Sequence, residues 1–252
     1  MLLCGPARKY ENWTDRKPGW WQTRAVRGYG QYCPVAKAAE VLGERWTLLI
    51  VRDLITGAHR FTDLHRGLPG ISRTLLSERL RRLEADGLVE RRPSDRGRGE
   101  YWLTPLGQDL EPAVMAIGEW AVRNYGHDPR GDEMDADVLM LWIERNARRD
   151  AFPPERVVAR FEFRGARTPR SWLVVEDRSP SVCHDDPGFE ADIVISADLR
   201  TLHRVFAGRL ALSAALRDGS LSIEGSPQQR RAFTKWFGVS PFADAEREAM
   251  AG

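Results

Sequence analysis

Apolar side chains recur every three or four positions over residues 34–42 (PVAKAAEVL) and 44–55 (ERWTLLIVRDLI), with Trp46, Leu49, Ile50 and Leu54 the clearest set. That period predicts two amphipathic helices interrupted at Gly43. A short helix over 61–66 follows, with Phe61 and Leu64 turned inward, then a Gly/Pro turn at 67–70 and a longer helix over 72–85. Ser72 can cap that helix and Gly87 can end it. Residues 88–92 and 100–103 read as two strands around the turn-rich loop PSDRGRG at 93–99, which makes a hairpin. Thr104 and Pro105 form a helix start, and Leu106, Leu110, Val114, Ile117 and Ala121 repeat on one face as far as Asn124, with a kink expected at Pro112.

The segment GHDPRGD at 126–132 has linker composition. Beyond it the period changes repeatedly. A helix carries Val138, Leu139, Trp142 and Ile143, and strands are expected at 157–163, 172–176 and 193–196. Two helices over 198–207 and 209–217, a short strand at 221–223 and a last helix from Ser226 and Pro227, carrying Phe233, Trp236 and Phe237, complete an α+β layer. The resulting division is an extension at 1–25 without periodicity, a first domain at 26–125, a linker at 126–134, a second domain at 135–240 and a tail at 241–252. Since ordered patterns begin just after it, Val26 is a candidate for the true start of translation.

The helix over 72–85 has two unlike faces. Leu75, Leu76, Leu80 and Leu83 hold it to the domain, while Ser72, Arg73, Thr74, Ser77, Arg81 and Arg82 lie on or near the other side. Arginine can bond a guanine edge or a phosphate, and hydroxyls can bond either. Three short helices followed by a hairpin can seat such a helix in a major groove about 12 Å wide. Arg92, Arg96 and Arg98, set among glycines, suit a basic wing along the DNA backbone or in the minor groove. Between Ile71 and Glu100 there are 8 Arg against 6 acids, so geometry argues for double-stranded DNA more than charge does. The plain alternative is a solvated arginine-rich face.

The run YCPVAKAAEVLGERWTLLIVRDLITGAHRFTDLHRGLPGISRTLLSERLRRLEADGLVERR, continued by YWLTPLGQDLEPAVMAIGEWA, resembles the HxlR-type helix-turn-helix family, relatives of the MarR regulators. The resemblance implies a winged helix-turn-helix transcription regulator, expected to be a repressor. It implies a homodimer held by the first and terminal helices of this domain, with recognition helices in successive major grooves about 10 bp apart. Leu106, Leu110 and Ile117 form the expected dimer stripe. In this family a cysteine before the proline at the position of Cys33 can sense electrophiles or oxidants, and a thiolate near a helix N-terminus is activated. The other reading of Cys33 is a small buried hydrophobe.

The run ADIVISADLRTLHRVFAGRLALSAALRDGSLSIEGSPQQRRAFTKWFG resembles the sterol carrier protein-like fold, with Gly208, Gly219 and Gly225 at the expected turns. That resemblance implies a sheet and helices enclosing an apolar tunnel. Trp142, Phe161, Phe163, Trp172, Phe206 and Trp236 are the candidate pocket residues for an apolar small-molecule effector; plain core is the alternative.

Composition changes this picture little. Hydrophobic residues make up 42% and charged residues 29%, and 38 basic against 36 acidic side chains leave a net charge of +2. No run approaches the roughly 20 apolar residues of a membrane span, and no export signal is recognisable. Cys4, Cys33 and Cys183 form no CxxC pair, which fits a reducing, cytoplasmic setting. No nucleophile–base pair, phosphate-cradling loop or two-histidine motif is present, so no catalytic residue, metal or cofactor is expected. The run Cys183-His184-Asp185 reads as a polar loop. Two alternatives remain: a thiol-based redox regulator acting through Cys33, and a lipid-binding or enzymatic second domain for which the winged helix is an interaction module.

Overall fold

The computed structural model describes residues 28–94, 99–126, 128–129 and 134–251. The expected extension at 1–25, the start at Val26, and Arg96 and Arg98 lie outside the described residues, as do residues 127 and 130–133 of the expected linker.

The N-terminal part is built from α1 (Pro34–Leu42), α2 (Thr47–Ile55), α3 (Phe61–Gly67), α4 (Arg73–Ala85) and a hairpin of β1 (Val89–Arg92) and β2 (Glu100–Leu103). The helix α2 starts later than its apolar period, because Trp46 takes a left-handed conformation, with φ 81°, at the N-cap. Ile50, Val51 and Leu54 of α2, Leu64 of α3 and Leu76, Leu80 and Leu83 of α4 form one core with Leu88, Val89 and Leu103 of the hairpin. Burial of each such aliphatic side chain stabilises by about 1.5–3 kcal/mol. The hairpin pairs Val89 with Leu103 and Arg92 with Glu100. It is tied to the chain ahead of α3 by the Tyr101 amide, which donates to the His59 carbonyl at 2.7 Å.

The single kinked helix expected after Thr104 is instead two helices, α5 (Pro105–Gln108) and α6 (Glu111–Tyr125). Thr104 caps the first, its hydroxyl accepting from the Gly107 amide at 3.2 Å and donating to the Gly87 carbonyl at 2.6 Å. The chain breaks around Asp109 and Leu110 because Pro112, which lacks an N–H, fits the first turn of a helix and not its interior. The break also re-aims the expected outward stripe. Leu106, Leu110 and Val114 pack against the N-terminal core, while Ile117 and Trp120 are left exposed on α6.

The C-terminal part opens with α7 (Ala136–Asn146), capped by the Asp135 carboxylate, and continues through β3 (Val157–Arg164), β4 (Arg170–Glu176), β5 (Ser179–Cys183), β6 (Ile193–Asp198), α8 (Leu199–Ala207), α9 (Leu212–Asp218), β7 (Leu221–Gly225), α10 (Pro227–Trp236) and α11 (Ala243–Ala251). The strands form a sheet in the order β5-β4-β3-β6-β7, with β3 and β6 parallel and the other neighbours antiparallel. Period-two alternation turns Phe161, Phe163, Leu173, Val175, Ile193 and Ile195 into one core with Phe233 and Trp236 of α10. Among the described residues no helix is long and apolar enough to cross a membrane.

Two elements here were not foreseen. The strand β5 holds Pro180 and ends at Cys183. It lies at the sheet edge, where a proline is tolerated. Asp177 and Arg178 both take positive φ, 49° and 59°, in the tight turn joining it to β4. The expected tail contains α11, which packs on α6.

Candidate nucleic-acid interface

The helix α4 meets the surface along the side opposite its leucines. Arg73, Thr74 and Arg81 are exposed there, and Ser77 is half-buried. The hydroxyl of Ser72 caps the helix, accepting from the Leu75 amide at 3.2 Å, so it positions the first turn that carries Arg73 and Thr74. The Arg81 guanidinium folds back to the Ser77 carbonyl at 3.3 Å.

Arg82 departs from the expected set. Its guanidinium bonds Glu44 at 3.1 Å, and Arg79, one turn earlier, meets the same carboxylate at 2.9 Å. Positions 79 and 82 share a face three residues apart, and that face looks toward the α1–α2 junction. Arg82 therefore braces α4 against the domain instead of joining the exposed row.

A depression of about 450 Å³ lies between the start of α3, α4 and the hairpin, and Arg60, Arg73, Ser77, Arg91 and Tyr101 are among its lining. Arg60 and Arg91 were missed by the sequence reading. Arg91 had a signal: it neighbours Arg92 on a strand, so the two must project to opposite sides. Arg92 lies with its guanidinium carbon 4.9 Å from the Trp102 ring centroid and pairs with Glu90 at 2.6 Å. Trp102 in turn stacks on His59, with ring centroids 3.5 Å apart. Burial holds the His59 imidazole below its ordinary value, against the opposing pull of its contact with the Tyr101 carbonyl.

Away from this face, α1 has no buried residue and Val35 is exposed on it. Ile117 and Trp120 of α6 are about half exposed, at 50% and 53%. Cys33 is exposed at the N-cap of α1, directly before Pro34. Cys183 closes β5, and burial pushes its thiol up. The neighbouring His184 places its Nδ1 3.0 Å from the Asp137 carboxylate.

The six aromatic residues expected to line one tunnel are dispersed. Phe161, Phe163 and Trp236 are packed in the sheet–helix core. Trp172 precedes Leu173 on β4 and so points to the opposite face of the sheet. Phe206 belongs to that core and Trp142 packs against it, and both also border a cleft of about 660 Å³ that has further walls from α2 and from the turn before α4.

Comparison with known proteins places this architecture. The uncharacterized HTH-type transcriptional regulator YvaP of Bacillus subtilis is 42% identical over 94 residues, 36% of this chain and 87% of that protein. With its helix-turn-helix matching the HxlR-like model, the chain belongs to the HxlR family. Residues 41–129 match the HxlR-like helix-turn-helix and residues 144–237 match the SCP-2 sterol transfer family, so both resemblances read from the sequence hold. The HTH-type transcriptional regulator Rv3095 of Mycobacterium tuberculosis is 49% identical over 88 residues, 34% of this HxlR chain; the chain spans 55% of that relative's length. Among solved structures, the reduced form of the transcriptional regulator YodB from Bacillus subtilis is 34% identical, covering 37% of this chain and 95% of that one, with a TM-score of 0.33. The fold is an N-terminal winged helix-turn-helix followed by an SCP-2 α+β domain.

Proposed function

We propose that this HxlR chain is a cytoplasmic, sequence-specific repressor that binds double-stranded DNA as a homodimer and works without catalysis. The reading is carried by one observation: the exposed face of α4 opens onto a depression walled by Arg60, Arg73 and Arg91. In this reading Arg73, Thr74, Ser77 and Arg81 meet base edges and phosphates in a major groove, with Ser72 fixing their helix. Arg92, Arg96 and Arg98 follow the DNA backbone from the hairpin. Residues 26–125 then form the DNA-binding and dimerisation domain, joined through 126–134 to a modulating domain at 135–240.

Dimerisation is supported by the exposed apolar positions of α1 and α6, which a partner would cover. Two α4 helices on a two-fold axis would read half-sites about 10 bp apart and exclude polymerase from the sequence between and around them. Selection of bound sequences from a random DNA pool, followed by binding at two salt concentrations, tests this. An inverted repeat with a steep salt slope is expected; weak binding without enrichment would overturn the reading. Ile117→Arg is expected to give a monomer in sedimentation and to lose the paired site.

A second reading rests on the exposure of Cys33 at the start of α1. Oxidant or quinone treatment would then release DNA from the parent protein and leave Cys33→Ser bound; equal release from both removes this reading.

A further inference from the structure

The cleft bordered by Trp142 and Phe206 lies between the two domains and draws its walls from both. From the winged helix it takes Trp46 and Leu49 of the α2 region, and Leu68 and Pro69 of the turn that leads into the Ser72 cap of α4. From the SCP-2 domain it takes Val138 and Trp142 of α7 and Leu199 and Phe206 of α8. A volume of about 660 Å³ is within the roughly 300–1,000 Å³ of small-molecule sites.

Three features separate this cleft from an ordinary seam. Trp46 is held at φ 81°, a conformation that strains a bulky residue and clusters at functional sites, and its side chain lines the cleft. The polar groups at the cleft are few and directed by their neighbours. The Arg52 guanidinium lies 4.8 Å from the Trp142 ring centroid while paired to Asp53 at 2.8 Å. His203 on α8 has its Nδ1 buried with no hydrogen-bond partner among the described residues. Burial, reinforced by Arg209, holds that imidazole below its ordinary value. Finally, Phe242 lines the cleft and is seated on Gly118 of α6, where a Cβ would collide with its ring.

We propose that this interdomain cleft, and not a tunnel within the SCP-2 domain, is an effector site for an aromatic small molecule carrying a polar oxygen. The inference rests on the DNA-binding reading above and deepens it. The side chains of Trp46 and Trp142 border the ring system, and the Arg52 guanidinium meets the oxygen. The occupant touches the turn that sets α4 and, through Phe242, the helix α6. Occupancy therefore changes how the recognition helix is presented and so changes DNA affinity.

The test uses the full chain and 1-anilinonaphthalene-8-sulfonate, an aromatic probe with sulfonate oxygens. Saturable binding with quenching of tryptophan emission is expected. Leu49→Trp and Val138→Phe fill the cleft from opposite walls, and each is expected to weaken probe binding about tenfold or more while the circular dichroism spectrum is retained. Because the two variants belong to different domains, failure of one to fold leaves the other decisive. The probe is further expected to shift operator affinity about fivefold or more in the parent protein and not in the filled variants. Absent saturable binding, or binding indifferent to both substitutions, overturns the site; cleft binding with unchanged operator affinity overturns the coupling. Loss of DNA binding in the unliganded parent protein overturns the repressor reading alone.

Discussion

Arg145 of α7 reaches out of the SCP-2 domain to place its guanidinium 3.2 Å from the fully buried carboxylate of Asp53 on α2, with 6% of its own side chain exposed. It also donates to the Asp63 carbonyl at 3.4 Å, so a single side chain ties the second domain to α2 and α3. Burial pushes the Asp53 carboxyl up, and Arg52 and Arg145 together pull against that. Losing Arg145 leaves Arg52 to oppose burial alone. Arg145→Met is expected to destabilise by roughly 1–3 kcal/mol, read as the urea midpoint. The double variant Asp53→Leu with Arg145→Met should lose less, since no buried charge is then stranded. A larger loss in the double variant would show that the pair itself, and not its desolvation, carries the stability.

His59 links the hairpin to the helical core. It stacks on Trp102 and holds the Tyr101 carbonyl through Nδ1 at 3.1 Å. Its folded value is depressed by burial, as is that of His203, so folding favours the neutral rings. This contribution is complete above the unfolded value of 6.5 and is lost as pH falls from there through the folded values. The parent protein should therefore lose more stability between about pH 7.5 and about pH 5.5 than His59→Gln does. Equal losses in urea titrations would place the acid sensitivity elsewhere.

Arg73 and Arg91 line the same depression from α4 and from β1, and their roles should separate. Arg73→Ala is expected to weaken binding to the selected site by roughly 1–3 kcal/mol with little change on random DNA. Arg91→Ala should weaken all sequences alike and lower the salt slope by about one. Mobility-shift titrations on both DNAs at several salt concentrations measure this, and identical behaviour would mean that both arginines contact phosphate.

Replacing a helical glycine with alanine ordinarily stabilises by roughly 0.5–1 kcal/mol. At Gly118 the added methyl would meet the Phe242 ring, and overpacking costs about 1–3 kcal/mol. Gly118→Ala is therefore expected to lower the thermal midpoint, and Phe242→Ala in the same chain to recover part of the loss. A stabilised Gly118→Ala variant would show that α11 and its leading segment are loosely held on α6.

The hydrophobic period, the caps at Ser72 and Thr104 and the punctuation by glycine and proline were enough to find α1, α3, α4 and the hairpin, and most of the sheet. These depend on neighbours within one turn or one strand, which the chain itself supplies. The exposed row Arg73, Thr74 and Arg81 was legible for the same reason, since a helix carries its faces with it. What lies beyond one element was not. Glu44 draws Arg82 off that row, and no spacing announces a partner 38 residues away. An edge position makes Pro180 compatible with a strand, and α11 packs on α6 just after Phe242 seats on Gly118. Each of the six aromatic residues expected in one pocket is equally apolar in the sequence. Which of them fills a core, crosses to the far side of the sheet or borders the cleft is decided only when layers from distant parts of the chain meet, because burial belongs to the assembled surfaces and not to the residue.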